Sequence, residues 1–131
     1  MNNLSLGAGI MSPKVMALMA RHSSPSIRLK VAENSQTPVD LLRKLARDAD
    51  PEVRIAAGQN DNLPECDLMM LSEDDSVDVR YALASDPLIP QLALENLTED
   101  SNPYVAVRAA ETLRALCRTV AASCEAVRES A

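Results

Sequence analysis

The apolar positions of this chain follow two interleaved patterns. Leu42, Leu45 and Ala46 recur as Leu68, Leu71 and Ser72 and again as Leu94, Leu97 and Thr98, with Met16, Met19 and Ala20 preceding them in register. Between these runs, Ile27, Val31 and Ala32 are followed by Val53, Ala57 and Gly58, then by Val79, Leu83 and Ala84. Apolar residues three and four apart share one helix face, and each pattern returns after 26 residues. The chain is therefore expected to alternate helices of a first and a second type, one of each making a hairpin unit.

Prolines mark where the helices should start. Pro25, Pro38, Pro51, Pro64, Pro90 and Pro103 lie on one series of step 13, with Val77 in the vacant place, Pro13 one residue late and Pro87 off the series. Before these positions stand Ser12, Ser24, Thr37, Asp50, Ser76 and Asn102. Their side-chain oxygens suit an N-cap, and proline suits the first helical position. About eight helices and no strand follow, the later ones beginning near Pro38, Pro51, Pro64, Ser76, Pro90 and Pro103. Segments of roughly 8 to 10 residues are too short to persist alone and must stack on their neighbours. The expected fold is all-α: an α-solenoid of about four 26-residue helical hairpins, occupying residues 11–131 as one domain behind a flexible N-terminus, residues 1–10.

The last segment breaks the beat. Val105, Ala109, Leu113, Leu116, Val120, Cys124 and Val127 keep helical spacing with no Pro or Gly, which predicts a long C-terminal capping helix from about residue 103. Up to Val127 it would extend about 37 Å and outrun its neighbours. Its far half is expected either to fold back over the open end of the stack or to pair with a second copy of the chain as a homodimer.

Composition narrows the class. No Trp, no Phe, two Tyr and three Gly in 131 residues argue against β-sandwiches and against folds with glycine-rich phosphate loops. Thirteen Lys and Arg against 19 Asp and Glu give a net charge of -6, which disfavours nucleic acid as a partner. Residues 1–10 lack the basic start of a signal peptide, and no uncharged apolar run approaches 18 residues, so a cytoplasmic protein with no membrane partner is expected. Cys66, Cys117 and Cys124 are odd in number and form no CxxC pair, so neither a disulfide framework nor a zinc site is expected.

The run Ile27-Arg28-x-x-Val31-Ala32-x-Asn34-x-x-Thr37-Pro38-x-x-Leu41-Leu42-x-x-Leu45-Ala46-x-Asp48 resembles the repeat of the leucine-rich repeat variant family, and the next two units match it more loosely. The resemblance covers about Met11 to Ala110. It implies HEAT-like repeats in a right-handed superhelix, in which a short α-helix alternates with a second helix often of 3₁₀ type. One member of that family holds an iron–sulfur centre in an N-terminal cysteine cluster; no cysteine precedes Cys66 here, so no cofactor is carried over.

Several columns recur at the unit length. Arg28, Arg54 and Arg80 form one, with Ala106 in the fourth unit; Asp48, Asp74 and Asp100 form another, with His22 in the first. Asp48 and Asp74 precede Arg54 and Arg80 by six residues across the turn, so guanidinium–carboxylate bridges in the same or an adjacent unit, a structural ladder, are the expected role. The alternative is a column that grips nucleic acid. Asn34, Asn60 and Asp86 end the second-type helices, where such residues form turns and tolerate left-handed backbone.

His22 is the only histidine and has no evident nucleophile or orienting partner, so catalysis is not expected. The acidic runs Glu73-Asp74-Asp75 and Glu99-Asp100 lack the ligand alternation and glycine of a calcium loop, and no metal site is expected. Cys117 and Cys124 share a helix face about 10 Å apart, too far to bridge, and are expected to be buried or half-buried apolar residues. Tyr81 aligns with Leu29 and Ile55 and is expected to pack. Tyr104 aligns with Ser26, Glu52 and Asp78, polar positions, and is a candidate contact residue, with packing in the C-terminal cap as the alternative. The expected function is non-catalytic binding of another protein by a surface of the second-type helices carrying Lys30, Glu33, Glu52, Gln59, Asp78, Ser85 and Tyr104.

Overall fold

A computed structural model describes residues 11–130; the segment expected to be a flexible N-terminus, residues 1–10, lies outside them. Among the described residues the chain forms eight α-helices and no strand: α1 (Pro13–Met19), α2 (Pro25–Glu33), α3 (Val39–Leu45), α4 (Pro51–Gly58), α5 (Glu65–Leu71), α6 (Val77–Ala84), α7 (Gln91–Leu97) and α8 (Pro103–Ser130). The second-type helices α2, α4 and α6 are α-helical rather than 3₁₀, and it is the first-type helices, of seven residues each, that are the shorter.

The proline beat resolves into two kinds of start. Pro25, Pro51 and Pro103 open α2, α4 and α8. Pro38, Pro64 and Pro90 stand one residue earlier, as the N-caps of α3, α5 and α7, so Thr37 is not a cap. Thr37 is instead buried, and its hydroxyl donates to the Val31 carbonyl at 2.6 Å, as the hairpin folds back on itself. Leu63 and Ile89, its counterparts in the next two units, are buried as apolar residues. Ser12, Asp50 and Asn102 do cap, accepting backbone N–H bonds from Val15, Glu52 and Tyr104. Ser24 and Ser76 occupy the cap position without a side-chain bond to the helix N–H groups.

Met16, Leu42, Leu68 and Leu94 are buried at one register position, and Leu45, Leu71 and Leu97 at the next turn. The opposing layer comes from Val31, Val53, Val79 and Val105, with the small residues Ala32, Ala57, Gly58, Ala84 and Ala109. Where side chains are small, helices approach closely: α2 packs on α4, α4 on α6 and α6 on α8. First-type helices pack chiefly on the second-type helices beside them in the chain. A stack whose second-type row is the closer one curves toward that row, so the exposed side of α2, α4, α6 and α8 forms its inner surface.

The final helix is unbroken over 28 residues, about 42 Å. Val105, Ala109 and Thr112 are buried against the stack and Leu113 and Leu116 are half-buried, but every residue from Cys117 to Glu129 is exposed. The helix does not fold back, contrary to one of the two expectations. Cys117 and Cys124, expected to be covered, are exposed as well, because the part of α8 that carries them has no neighbouring helix.

Candidate protein-binding surface

Three arginines form identical clamps between units. Arg28 Nε and Nη2 donate to Asp48 Oδ2 and Oδ1 at 2.8 and 2.9 Å. Arg54 does the same to Asp74 at 2.9 Å for both bonds, and Arg80 to Asp100 at 2.7 and 3.3 Å. The remaining donor, Nη1, reaches back across the preceding turn to the carbonyls of His22, Asp48 and Asp74 at 2.8, 2.7 and 2.7 Å. The residue six before each arginine, His22, Asp48 or Asp74, thus offers its main chain, while the paired carboxylate comes from the aspartate 20 residues ahead, on the next unit.

Each carboxylate has a second task. Asp48, Asp74 and Asp100 Oδ1 accept the N–H of Asp50, Ser76 and Asn102 at 2.8 to 2.9 Å, closing the turn that leads into the following helix. His22 keeps this half of the role, its Nδ1 accepting from the Ser24 N–H at 2.9 Å, with no arginine on a preceding unit to meet. Burial pushes the Asp48 and Asp100 carboxyls up, but the arginine hydrogen bond, the turn N–H and the arginine charge together outweigh it and hold both below the usual carboxylate range. The bonded carboxylates in turn raise all three arginines above their ordinary value.

A second link runs through the column of Asn34, Asn60 and Asp86. All three use Oδ1 to accept an N–H two residues on, from Gln36, Asn62 and Leu88, at 2.8 to 3.0 Å. Asn34 does so with an extended backbone (φ -78, ψ 125), not the left-handed one its residue type tolerates. Among the described residues Asn60 also reaches the preceding unit, its Nδ2 donating to the Ala32 and Asn34 carbonyls at 2.9 Å each. Asp86 is a carboxylate and has no amide to offer. Thr112, which continues this column by one more unit and was not singled out from the sequence, donates its buried hydroxyl to the Ala84 carbonyl at 2.6 Å.

Asp67 also escaped the sequence reading, because it recurs nowhere: its register partners are Leu41 and Ala93. Only 1% exposed, it accepts from Arg43 Nε at 3.1 Å and Arg47 Nη1 at 3.0 Å, tying α5 to the exposed side of α3. No group of three or more His, Cys, Asp or Glu that could hold a metal ion occurs among the described residues. Nor is any helix there long and apolar enough to cross a membrane.

The inner surface has a different character. Lys30, Glu33, Glu52, Gln59 and Asp78 are positioned on it, all five exposed. Ser85 is half-buried and engaged, donating to the Tyr81 carbonyl at 3.0 Å and accepting from Arg108 Nε at 3.0 Å. Tyr104 is 77% exposed, and Tyr81, expected to pack like Leu29 and Ile55, is 44% exposed. It is bare because α8 presents Val107, itself 55% exposed, at the same register position and does not cover it. Together with Pro103, Arg108 and Glu111, the two tyrosines and Val107 line one shallow depression between α6 and α8.

Alternating hairpins, a buried leucine column and unit-to-unit clamps define an α-helical repeat protein. Within it, residues 25–50, from the start of α2 to the turn before α4, match the family model described as Leucine rich repeat variant, which supports the resemblance read from the sequence. Comparison with curated proteins and with solved structures gave no match.

Proposed function

We propose that the chain is a non-catalytic protein-binding module that receives its partner on the inner, second-type surface, with Tyr81, Tyr104 and Val107 as the anchor. The observation that carries this reading is the juxtaposition of the two tyrosines. They are the only Phe, Tyr or Trp residues in 131, both are exposed, and both line one depression. Tyrosine combines a large apolar face with a hydroxyl and is enriched where partners bind. Asp78 lies exposed on the same row, while Glu111 is paired with Arg108 at 3.4 Å, so the partner surface that fits is an apolar side chain with a basic residue toward Asp78. The three exposed free thiols fit a reducing, cytoplasmic setting.

Nucleic acid is the weaker reading, because each arginine of the Arg28, Arg54 and Arg80 column already spends its donors on an aspartate and a turn carbonyl. Quantitative capture from lysate tests the two. Wild type, a Tyr81→Ala/Tyr104→Ala double variant and a Leu88→Ser control should be compared, since Leu88 is exposed outside the depression. The double variant should lose more than tenfold of a partner that the control retains. Equal capture by all three would refute the reading. Binding of labelled DNA or RNA that disappears with Arg54→Ala would replace it with the nucleic-acid one.

A further inference from the structure

We infer that the tyrosine depression is one end of a longer track, and that the inner surface takes an extended, proline-containing segment of another protein with an apolar residue at every third position and Lys or Arg between. The inference rests on the protein-binding reading of that surface and specifies the partner. Leu29, Ile55, Tyr81 and Val107 stand at one register position, 26 residues apart, on α2, α4, α6 and α8. Each lies at the middle of its helix's solvent side: the residues three before and four after it are exposed or half-buried, whereas those two after it, Val31, Ala57, Leu83 and Ala109, are buried. Leu29 and Ile55 lean on the core and are half-buried, while Tyr81 and Val107 are exposed, so the apolar row grows barer from α2 to α8. It runs across the helices, not along one, and so presents one apolar side chain per unit.

Spacing and charge identify the occupant. Packed helices lie about 8–10 Å apart, and three residues of polyproline II advance about 9.3 Å, so a segment in that conformation meets one side chain of the row with every third residue. A helical segment repeats its apolar face every 5–6 Å or so, about half the step. A β-strand needs backbone partners, which a helix face with its own N–H and C=O groups already bonded does not offer; polyproline II keeps its backbone solvated and packs on aromatic faces such as those of Tyr81 and Tyr104. Glu52 and Asp78, one turn before Ile55 and Tyr81, are exposed and enter none of the ion pairs among the described residues. A first-turn carboxylate also suits the helix dipole, yet α2 and α8 form with Ser26 and Tyr104 at that position. The arginines of the same two middle helices, Arg54 and Arg80, are held by Asp74 and Asp100, so the free charge beside the middle of the row is negative. Cations on this surface belong to the outer helices, as Lys30 and as Arg108, and Arg108 is engaged by Ser85 and Glu111. Basic residues between the apolar ones therefore fit opposite α4 and α6.

A dye-labelled peptide of four Leu-Pro-Lys triplets, followed by fluorescence anisotropy on the full chain, is the probe. The same residues arranged as Leu-Leu-Pro-Pro-Lys-Lys, twice over, keep composition and charge but break the period, and four Leu-Pro-Glu triplets keep the period but reverse the charge. The lysine triplets should bind about tenfold more tightly than either comparison peptide. Glu52 is exposed on α4 and lies outside the tyrosine depression, so Glu52→Lys tests the track separately from its aromatic end. It should weaken binding of the lysine triplets by about tenfold, with an unchanged helical circular-dichroism spectrum, and Tyr81→Ala should weaken it as well. Leu88→Ser should not. Either comparison peptide binding as tightly as the lysine triplets, binding that Glu52→Lys leaves intact, or no binding of the lysine triplets would overturn the track. The lysate comparison with Tyr81→Ala/Tyr104→Ala depends neither on peptide spacing nor on Glu52, so the protein-binding reading of the depression stands or falls there by itself.

Discussion

Along the same second-type helices, the arginines are covered and the tyrosines are bare. Arg28, Arg54 and Arg80 lie against the next unit with nearly every donor engaged, while Tyr81, Tyr104 and Val107 stand in solvent around an open depression. This reverses the usual sorting of charge outward and aromatic inward. The charges are the joints of the scaffold, and the aromatics interrupt otherwise polar or aliphatic columns. The scaffold is divided in this way: the charges that recur from unit to unit hold the stack, and the exposed aromatics that do not recur carry no joint.

That separation should show first in stability. Arg54→Ala leaves the Asp74 carboxylate and the Asp48 carbonyl half-buried without their donor, and should lower unfolding free energy by about 1 to 3 kcal/mol in urea titrations. Acid should act on the same joints. Because the folded Asp48 and Asp100 are held below their ordinary value of 3.8, their contribution is present above that pH and fades as pH falls through the lower folded values. Urea midpoints should therefore be flat from neutrality to about pH 5 and drop below pH 4, and an Asp48→Asn/Asp100→Asn variant, weaker throughout, should drop less.

A smaller gain is available where the second link is missing. Asp86→Asn would provide the amide that Asn60 uses, directed at the Gly58 and Asn60 carbonyls by the same register, and should add about 0.5 to 1.5 kcal/mol. An unchanged or lowered urea midpoint would mean that α6 and α4 do not repeat the geometry of α4 and α2. Tyr104→Ala should have the smallest effect on folding, within about 0.5 kcal/mol, since the side chain is 77% exposed. A loss as large as that of Arg54→Ala would erase the distinction between joint and surface.

The fold was legible in the sequence because recurrence makes every unit a witness for the others: four buried Met or Leu residues at one register position leave little choice of helix face. The joints were only half legible. Arg28, Arg54 and Arg80 and Asp48, Asp74 and Asp100 stand out as columns, but the six-residue spacing points to the wrong carboxylate, since the side chain turns forward to the next unit and only Nη1 turns back. Thr112 could have been found by extending the asparagine column one step, whereas Asp67, with no recurring partner, gave no signal. The exposure of Tyr81 depends on what α8 fails to cover, a tertiary fact that no local pattern carries.

The reach of the clamps also sets the order of events at birth. Each arginine waits for an aspartate only 20 residues further along, and the longest side-chain link between units spans 28. At a synthesis rate of about 5–20 residues per second, the partner of each arginine emerges roughly one to four seconds after it. Helical chains with such local contacts fold in microseconds to milliseconds, far faster than they are made. The stack is therefore built in the order it is translated, each unit closing on the last while the next is still inside the ribosome.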